Sequence, residues 1–178
     1  QVVKVIESKR TGSEQEYEFP KRCPVCDFNA ERPEGEAVTR CTNDVCPAKI
    51  KGRVEYFSMR KAMDIEGLGE VLIEQLVDSE KVNDVADLYS LDVETLSNLE
   101  RMAEKSATNV YEQIRASKER GLQKLLFGMD IRHVGERYSK ILSNHFKSIE
   151  NIRAASVEEL VAIHEIGEKV AESVYEYF

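Results

Sequence analysis

A duplication within the chain limits its possible folds more than any other feature. Residues 85–114 align without a gap to residues 149–178, an offset of 64. Val93, Glu94, Leu96, Glu104, Lys105, Ala107, Val110, Tyr111 and Glu112 meet Val157, Glu158, Leu160, Glu168, Lys169, Ala171, Val174, Tyr175 and Glu176. These identities fall on charged as well as apolar positions, so helical periodicity alone does not produce them. A second pairing, at an offset of 66, sets Ile65-Glu66-Gly67-Leu68-Gly69-Glu70 against Ile131-Arg132-His133-Val134-Gly135-Glu136. The two-residue difference is a change in loop length. The region therefore reads as one two-motif unit present twice.

From Val54 onward the pattern is helical. Leu122, Leu125, Leu126 and Met129 fall at i, i+3, i+4 and i+7, as do Ala107, Val110, Tyr111 and Ile114. Ala171, Val174, Tyr175 and Phe178 repeat that stripe at the end of the chain, and all three stripes are expected to face a core. Ser156 with Glu159 predicts a capping box. Short polar or glycine-bearing breaks separate the stripes, as in paired helices joined by turns. His145 and His164 receive no role.

Four breaks share one form: Ile65 to Gly69, Leu99 to Ala103, Ile131 to Gly135 and Ile163 to Gly167. Each has an apolar residue, two variable residues, a second apolar residue and a small residue, followed by a helix that opens with Glu. This is the helix-hairpin-helix pattern. Glycine permits positive φ and lets a phosphate approach the main chain closely. The amides at the next helix start then face an anion, which the helix dipole also favours. The candidate DNA contacts are Gly67, Gly69, Arg101, Lys105, Arg132, His133, Gly135, Gly167 and Lys169. Such a clamp reads backbone and not bases. The copies differ at the third position, where Gly67 is matched by Arg101, His133 and Glu165. Glu165 is expected to repel a phosphate, which weakens the fourth hairpin as a clamp. Arg101 either substitutes a side-chain contact for amides or marks a purely structural turn.

Cys23, Cys26, Cys41 and Cys46 are the only cysteines, in a C-x2-C pair and a C-x4-C pair separated by fourteen residues. Two close pairs at this separation can place four thiolates on a tetrahedron, the geometry of a structural zinc site. Two disulfides are the alternative, but nothing else in the sequence points to secretion. Four protein ligands leave no open position for catalysis, and a module this small needs its metal to fold. Around it, Lys21, Arg22, Arg32, Arg40, Lys49, Lys51 and Arg53 either track a nucleic-acid backbone or are solvated charges offset by Glu31, Glu34, Glu36 and Asp44.

Composition narrows the function classes. The net charge of -8 excludes a broadly basic nucleic-acid binder, so contact must come from local amides and helix starts. No run approaches the roughly 18 apolar residues of a membrane span, and no signal peptide opens the chain. The chain starts at Gln1 rather than Met, inside the strand-like run Gln1 to Ile6, which reads as a piece of a longer protein.

With these residues in view, the chain resembles the C-terminal half of bacterial NAD-dependent DNA ligases. The resemblance rests on Ala62-Met63-Asp64-Ile65-Glu66-Gly67-Leu68-Gly69-Glu70 and on Gly128-Met129-Asp130-Ile131-Arg132-His133-Val134-Gly135-Glu136. It rests also on Cys23-Pro24 after Phe19-Pro20, and on Cys46-Pro47-Ala48. It implies a mainly α fold: a tandem helix-hairpin-helix domain of four motifs in duplicated pairs, preceded by a small four-cysteine zinc module and a short β remnant. The implied divisions are 1–20, the end of an oligonucleotide-binding barrel; 21–53, the zinc module; and 54–178, with units of about 54–118 and 119–178. The implied role is to hold the minor-groove side of nicked double-stranded DNA while the missing adenylation and barrel domains close around it.

Departures from the family pattern at Arg101, Ala103 and Glu165 put the second and fourth contacts in question. No Lys-x-Asp-Gly nucleophile motif occurs, so the chain contributes no catalytic residue. NAD and Mg are expected only in a full-length enzyme, and zinc alone here. A monomer in the bacterial cytoplasm, near the nucleoid, completes the expectation. A module from another repair protein and a protein-interaction scaffold are the competing readings.

Overall fold

The computed structural model describes residues 4, 6–15, 17–35 and 37–178. They form two compact units, Gln1–Asp44 and Val45–Phe178.

The first unit has almost no hydrophobic core. Cys23 is its one buried residue among those described, while Tyr17, Phe19, Val25, Phe28 and Val38 are all more than half exposed. Its regular structure is one short antiparallel pair, β1 (Ala30–Glu31) with β2 (Arg40–Cys41), in the register Ala30↔Cys41 and Glu31↔Arg40. The first Cys pair is a tight turn. The Asp27 amide donates to the Cys23 carbonyl (2.9 Å) and the Cys23 amide to the Phe28 carbonyl (2.7 Å), with Asp27 at φ 56°.

The β structure expected in residues 1–20 is not found among their described members, which hold a single 3-10 turn at Glu7–Lys9. A strand requires a neighbour to satisfy its amides and carbonyls, and no described residue pairs with this segment. Most of the strand-like run Gln1 to Ile6 lies outside the described residues. Among the described residues the β structure sits instead around the cysteines.

The second unit is helical and begins earlier than the sequence suggests, at Pro47 rather than Val54. In α1 (Pro47–Ser58), Pro at the first helical position costs no hydrogen bond. Ile50, Val54 and Phe57 supply its buried face. Then follow α2 (Glu70–Asp78), α3 (Val93–Ser97), α4 (Glu104–Ser117), α5 (Leu122–Gly128), α6 (Glu136–Phe146), α7 (Ile149–Ala154), α8 (Val157–Val161) and α9 (Glu168–Tyr177). No described helix is long and apolar enough to cross a membrane.

The duplication is visible in the packing. One core gathers Ile65, Leu76, Leu96 and Val110, and the other gathers their counterparts Ile131, Leu142, Leu160 and Val174. The halves meet where Tyr56 stacks on Phe127 (5.2 Å between centroids) and where Gly128 lies against Phe57 and Ala62. A Cβ on Gly128 would stand 3.2 Å from the Phe57 ring, so the absent side chain permits the close approach. Arg120 pairs with Asp64, and Lys124 Nζ donates to the Lys61 carbonyl at 2.9 Å. The expected stripes face the cores with one exception. Tyr175, on the last turns of α9, is 57% exposed, whereas its counterpart Tyr111 packs against the first core.

Candidate metal centre and nucleic-acid interface

The ligand atoms of Cys23, Cys26, Cys41 and Cys46 all lie within 4.8 Å of one another. Cys26 Sγ and Cys41 Sγ are 3.5 Å apart, and the Asn43 amide points at Cys41 Sγ from 3.4 Å. Burial pushes the Cys41 thiol up to about 12, with the neighbouring Cys26 and Cys23 adding to the rise and the Asn43 amide opposing it. Four sulfur ligands converging this closely form a donor set suited to a cation. A tetrahedral thiolate-binding divalent ion fits this donor set, and all four positions are occupied by protein. The near-absence of apolar burial around them agrees, since something other than a core must hold the segment. Of the flanking cations, Arg22 pairs with Asp27 (3.1 Å), Arg32 lies over the Phe19 ring (5.0 Å) and Lys51 pairs with Asp78 (2.8 Å). Two of the three are thus offset by carboxylates, Asp27 and Asp78, that differ from the Glu31, Glu34, Glu36 and Asp44 expected from the sequence.

The four hairpins share a backbone as well as a sequence pattern. In each, the amide of the second apolar residue donates to the carbonyl of the first: Leu68 to Ile65, Met102 to Leu99, Val134 to Ile131 and Ile166 to Ile163, at 2.9–3.4 Å. The residue before the second apolar position has positive φ every time: Gly67 86°, Arg101 62°, His133 64° and Glu165 77°. A turn of this kind requires positive φ at its third residue and normally takes Gly there. Three of the four copies therefore hold a non-glycine residue in a left-handed conformation that costs roughly 1–2 kcal/mol. The two apolar residues anchor the turn. Ile65, Leu68, Ile131, Val134, Ile163 and Ile166 are buried, while Leu99 and Met102 are half-buried. Everything between and after them is exposed, Arg132 included.

Some helix starts carry a side-chain cap and others do not; among the latter are α1 and α5, at Cys46 and Gly121. Asp84, which starts the 3-10 helix Val85–Ser90, and Asp92, Ser148 and Ser156, which start α3, α7 and α8, accept first-turn amides on their side chains, and Ser156 with Glu159 forms the expected box. Thr95 donates to Asp92 strongly enough to hold that carboxyl below its ordinary range. The four helices that follow hairpins, α2, α4, α6 and α9, start at Gly69, Ala103, Gly135 and Gly167, with no side-chain cap bond. In α2 and α9 the third-residue amides, Leu72 and Val170, donate to the Gly69 and Gly167 carbonyls at 3.0 Å, and no side chain caps the amides before them. No atom lies within 4 Å of a Cβ built on Gly69, Gly135 or Gly167, so space above these amides is open. Lys105 and Lys169 occupy the second positions of α4 and α9 and are exposed. Gly67 differs, since a Cβ there would come within 2.9 Å of Val110 Cγ2. It serves packing as well as turn geometry.

Glu165 does not stand alone at its turn. Its carboxylate pairs with Arg137 at the start of α6, which offsets the expected repulsion of an anion. Hairpins one and two line a common groove of about 300 Å³ that includes Gly67, Gly69 and Arg101. Two features escaped the sequence reading: the Arg137 pairing, and a side-chain amide, Gln75, bonded to the backbone of the second hairpin. The first was visible only as charges far apart in sequence. The second leaves no sequence signal, because its partner is main chain.

Three segments of the chain match known family models. Residues 22–48 match the family model of the NAD-dependent DNA ligase C4 zinc finger domain. Residues 59–116 match a SAM-like helix-hairpin-helix tandem, and residues 124–178 a helix-hairpin-helix motif. Over all 178 residues the chain is 50% identical to a DNA ligase of Lysinibacillus sphaericus and to one of Pelotomaculum thermopropionicum, covering 27% and 26% of their lengths. A DNA ligase of Listeria monocytogenes is 48% identical over the same span. The chain spans about a quarter of the length of these relatives. The chain is thus similar, over its whole length, to the portion of these DNA ligases that carries the C4 zinc finger and the helix-hairpin-helix motifs.

Proposed function

We propose that this chain grips duplex DNA at a nick, without reading base sequence, as the DNA-holding portion of a nick-sealing NAD-dependent ligase. One observation carries the reading: all four hairpins end in helix starts that lack a side-chain cap, while Asp92 and Ser148 cap the starts of α3 and α7 in the same unit. Uncapped amides at the positive end of a helix dipole are a phosphate site that needs little basic charge. This reconciles DNA binding with the net charge of -8. Phosphates would meet the amides after Gly69, Ala103, Gly135 and Gly167. Arg101, Lys105, Arg132, His133 and Lys169 would add side-chain contacts. The duplication suits a duplex, since two similar halves can grip backbone on either side of a nick from the minor groove.

Cys23, Cys26, Cys41 and Cys46 would hold zinc as thiolates, the ion supplying shape and no chemistry. Adenylation by NAD with Mg, and sealing itself, would belong to the remaining domains of a full-length enzyme, which are the partners this portion serves. Alone it would be an inactive monomer, and in the cell it would act in the cytoplasm at the nucleoid.

The test is fluorescence anisotropy of a labelled nicked duplex titrated with this chain at two salt concentrations. Saturable binding whose log–log salt slope is about -0.9 per phosphate engaged is expected. Absence of binding at low salt would overturn the reading.

A further inference from the structure

We infer that Gln75 is a positioning residue for DNA binding: it fixes the second hairpin against the helix that follows the first, making the two hairpins one clamp. The inference rests on the DNA-binding reading above and goes further, since it concerns a residue whose side chain bonds the protein's own backbone. Gln75 lies on α2, half-buried, and both polar atoms of its side-chain amide are bonded. Nε2 donates to the Glu100 carbonyl at 3.3 Å, and Oε1 accepts from the Glu100 amide at 2.7 Å. One side chain thus takes both polar groups of the residue just before Arg101, which is held left-handed at φ 62°.

That engagement matters because this hairpin is the least well anchored of the four. Its apolar pair, Leu99 and Met102, is only half-buried, and its third position has no glycine. Without Gln75 the strained turn could relax, and Arg101 would leave the groove it shares with Gly67 and Gly69. Glu70 and Glu100 also line that groove, so the direction in which Arg101 points decides whether it offers an anion a cation.

The second half of the duplication links the same two elements by different chemistry. There Arg137, on the helix after the third hairpin, pairs with Glu165 in the turn of the fourth. The linking residues do not align in sequence, yet the same pair of elements is tied in both halves. A tie present in both copies with unrelated side chains points to the link itself as the shared property.

The experiment is a double-mutant cycle, read by anisotropy on a labelled nicked duplex well below the thermal midpoint of every variant. Gln75→Ala should weaken binding roughly fivefold, the scale of one lost hydrogen-bonded constraint. In an Arg101→Ala background the same substitution should change affinity little, because the residue it positions is gone. Equal affinity of Gln75→Ala and wild type, or losses that simply multiply, would overturn the inference. Hydrogen exchange of the Glu100 amide in the unsubstituted chain provides a test independent of variant folding. Protection is expected, and exchange at the rate of an open turn would contradict the tie. Failure of the unsubstituted chain to bind DNA would strike the DNA-binding reading itself, whereas intact binding by Gln75→Ala strikes only this inference.

Discussion

The cysteine unit and the helical unit are held together by opposite means. In the first, Cys23 is the one buried residue among those described, and large apolar side chains lie on the surface. In the second, two cores of buried aliphatic side chains run the length of the fold. A segment with so little apolar burial cannot offset its conformational entropy, so four convergent thiols must do so through a metal. The helical unit has no such need, and that frees its helix starts for other uses. Within it a contrast recurs at smaller scale: Asp92, Ser148 and Ser156 close their helix starts, and all four hairpin helix starts are left open, as are those of α1 and α5.

Metal removal should separate the two units most sharply. Structural zinc contributes on the order of 10 kcal/mol to modules of this kind. A strong chelator should therefore unfold the cysteine segment while the helical unit survives. Limited proteolysis should then cut within residues 22–44, with far-ultraviolet circular dichroism nearly unchanged; loss of the helical signal would mean the comparison is wrong. Acid should act like a chelator, because the ligands bind as thiolates and protons compete for them.

Next in size are the paired core leucines. Leu76→Ala and Leu142→Ala remove equivalent, fully buried side chains from the two halves, and each should cost about 2–5 kcal/mol in urea denaturation. A negligible loss at either would show that its half is not held by its core.

The hairpin turns offer a comparison of opposite signs. Gly67→Ala should destabilise by roughly 2–4 kcal/mol, since it adds left-handed strain to a 2.9 Å clash with Val110. At the equivalent position of the third hairpin, His133→Gly should stabilise by about 1 kcal/mol by relieving the same strain. Matching signs in thermal melts would contradict the shared turn geometry.

The smallest effect on stability should come from Gly135→Val. The site is open and its φ of -86° suits any residue, so the cost should stay under about 1 kcal/mol. Affinity for nicked duplex should nonetheless fall about tenfold, because the new side chain fills the space where a phosphate would sit. Unchanged affinity would mean that this hairpin does not contact DNA.

Much of this was legible in the sequence, for identifiable reasons. Hydrophobic spacing located both cores because Leu76 and Leu142, or Leu96 and Leu160, recur at fixed offsets. The hairpins were visible because their apolar pairs need burial and their tips need room. Cysteine spacing marked the metal centre. The start of α1 was missed because its buried face begins only four residues after Cys46, inside a segment dominated by cysteine and charge. The left-handed conformation of Arg101, His133 and Glu165 was also not legible, because residue preference at those positions argues against it and tertiary anchoring overrides it. The exposure of Tyr175 escaped for a related reason: periodicity defines a stripe but not where the core ends.

The most direct test of the central claim follows individual backbone amides by nitrogen-15 NMR while nicked duplex is added. The account predicts large shifts at the starts of the hairpin helices, at Gly69, Glu70, Gly135, Glu136, Gly167 and Glu168, and little change at the start of α7, which Ser148 closes. Shifts absent from every hairpin start, or spread evenly over closed and open starts alike, would contradict it.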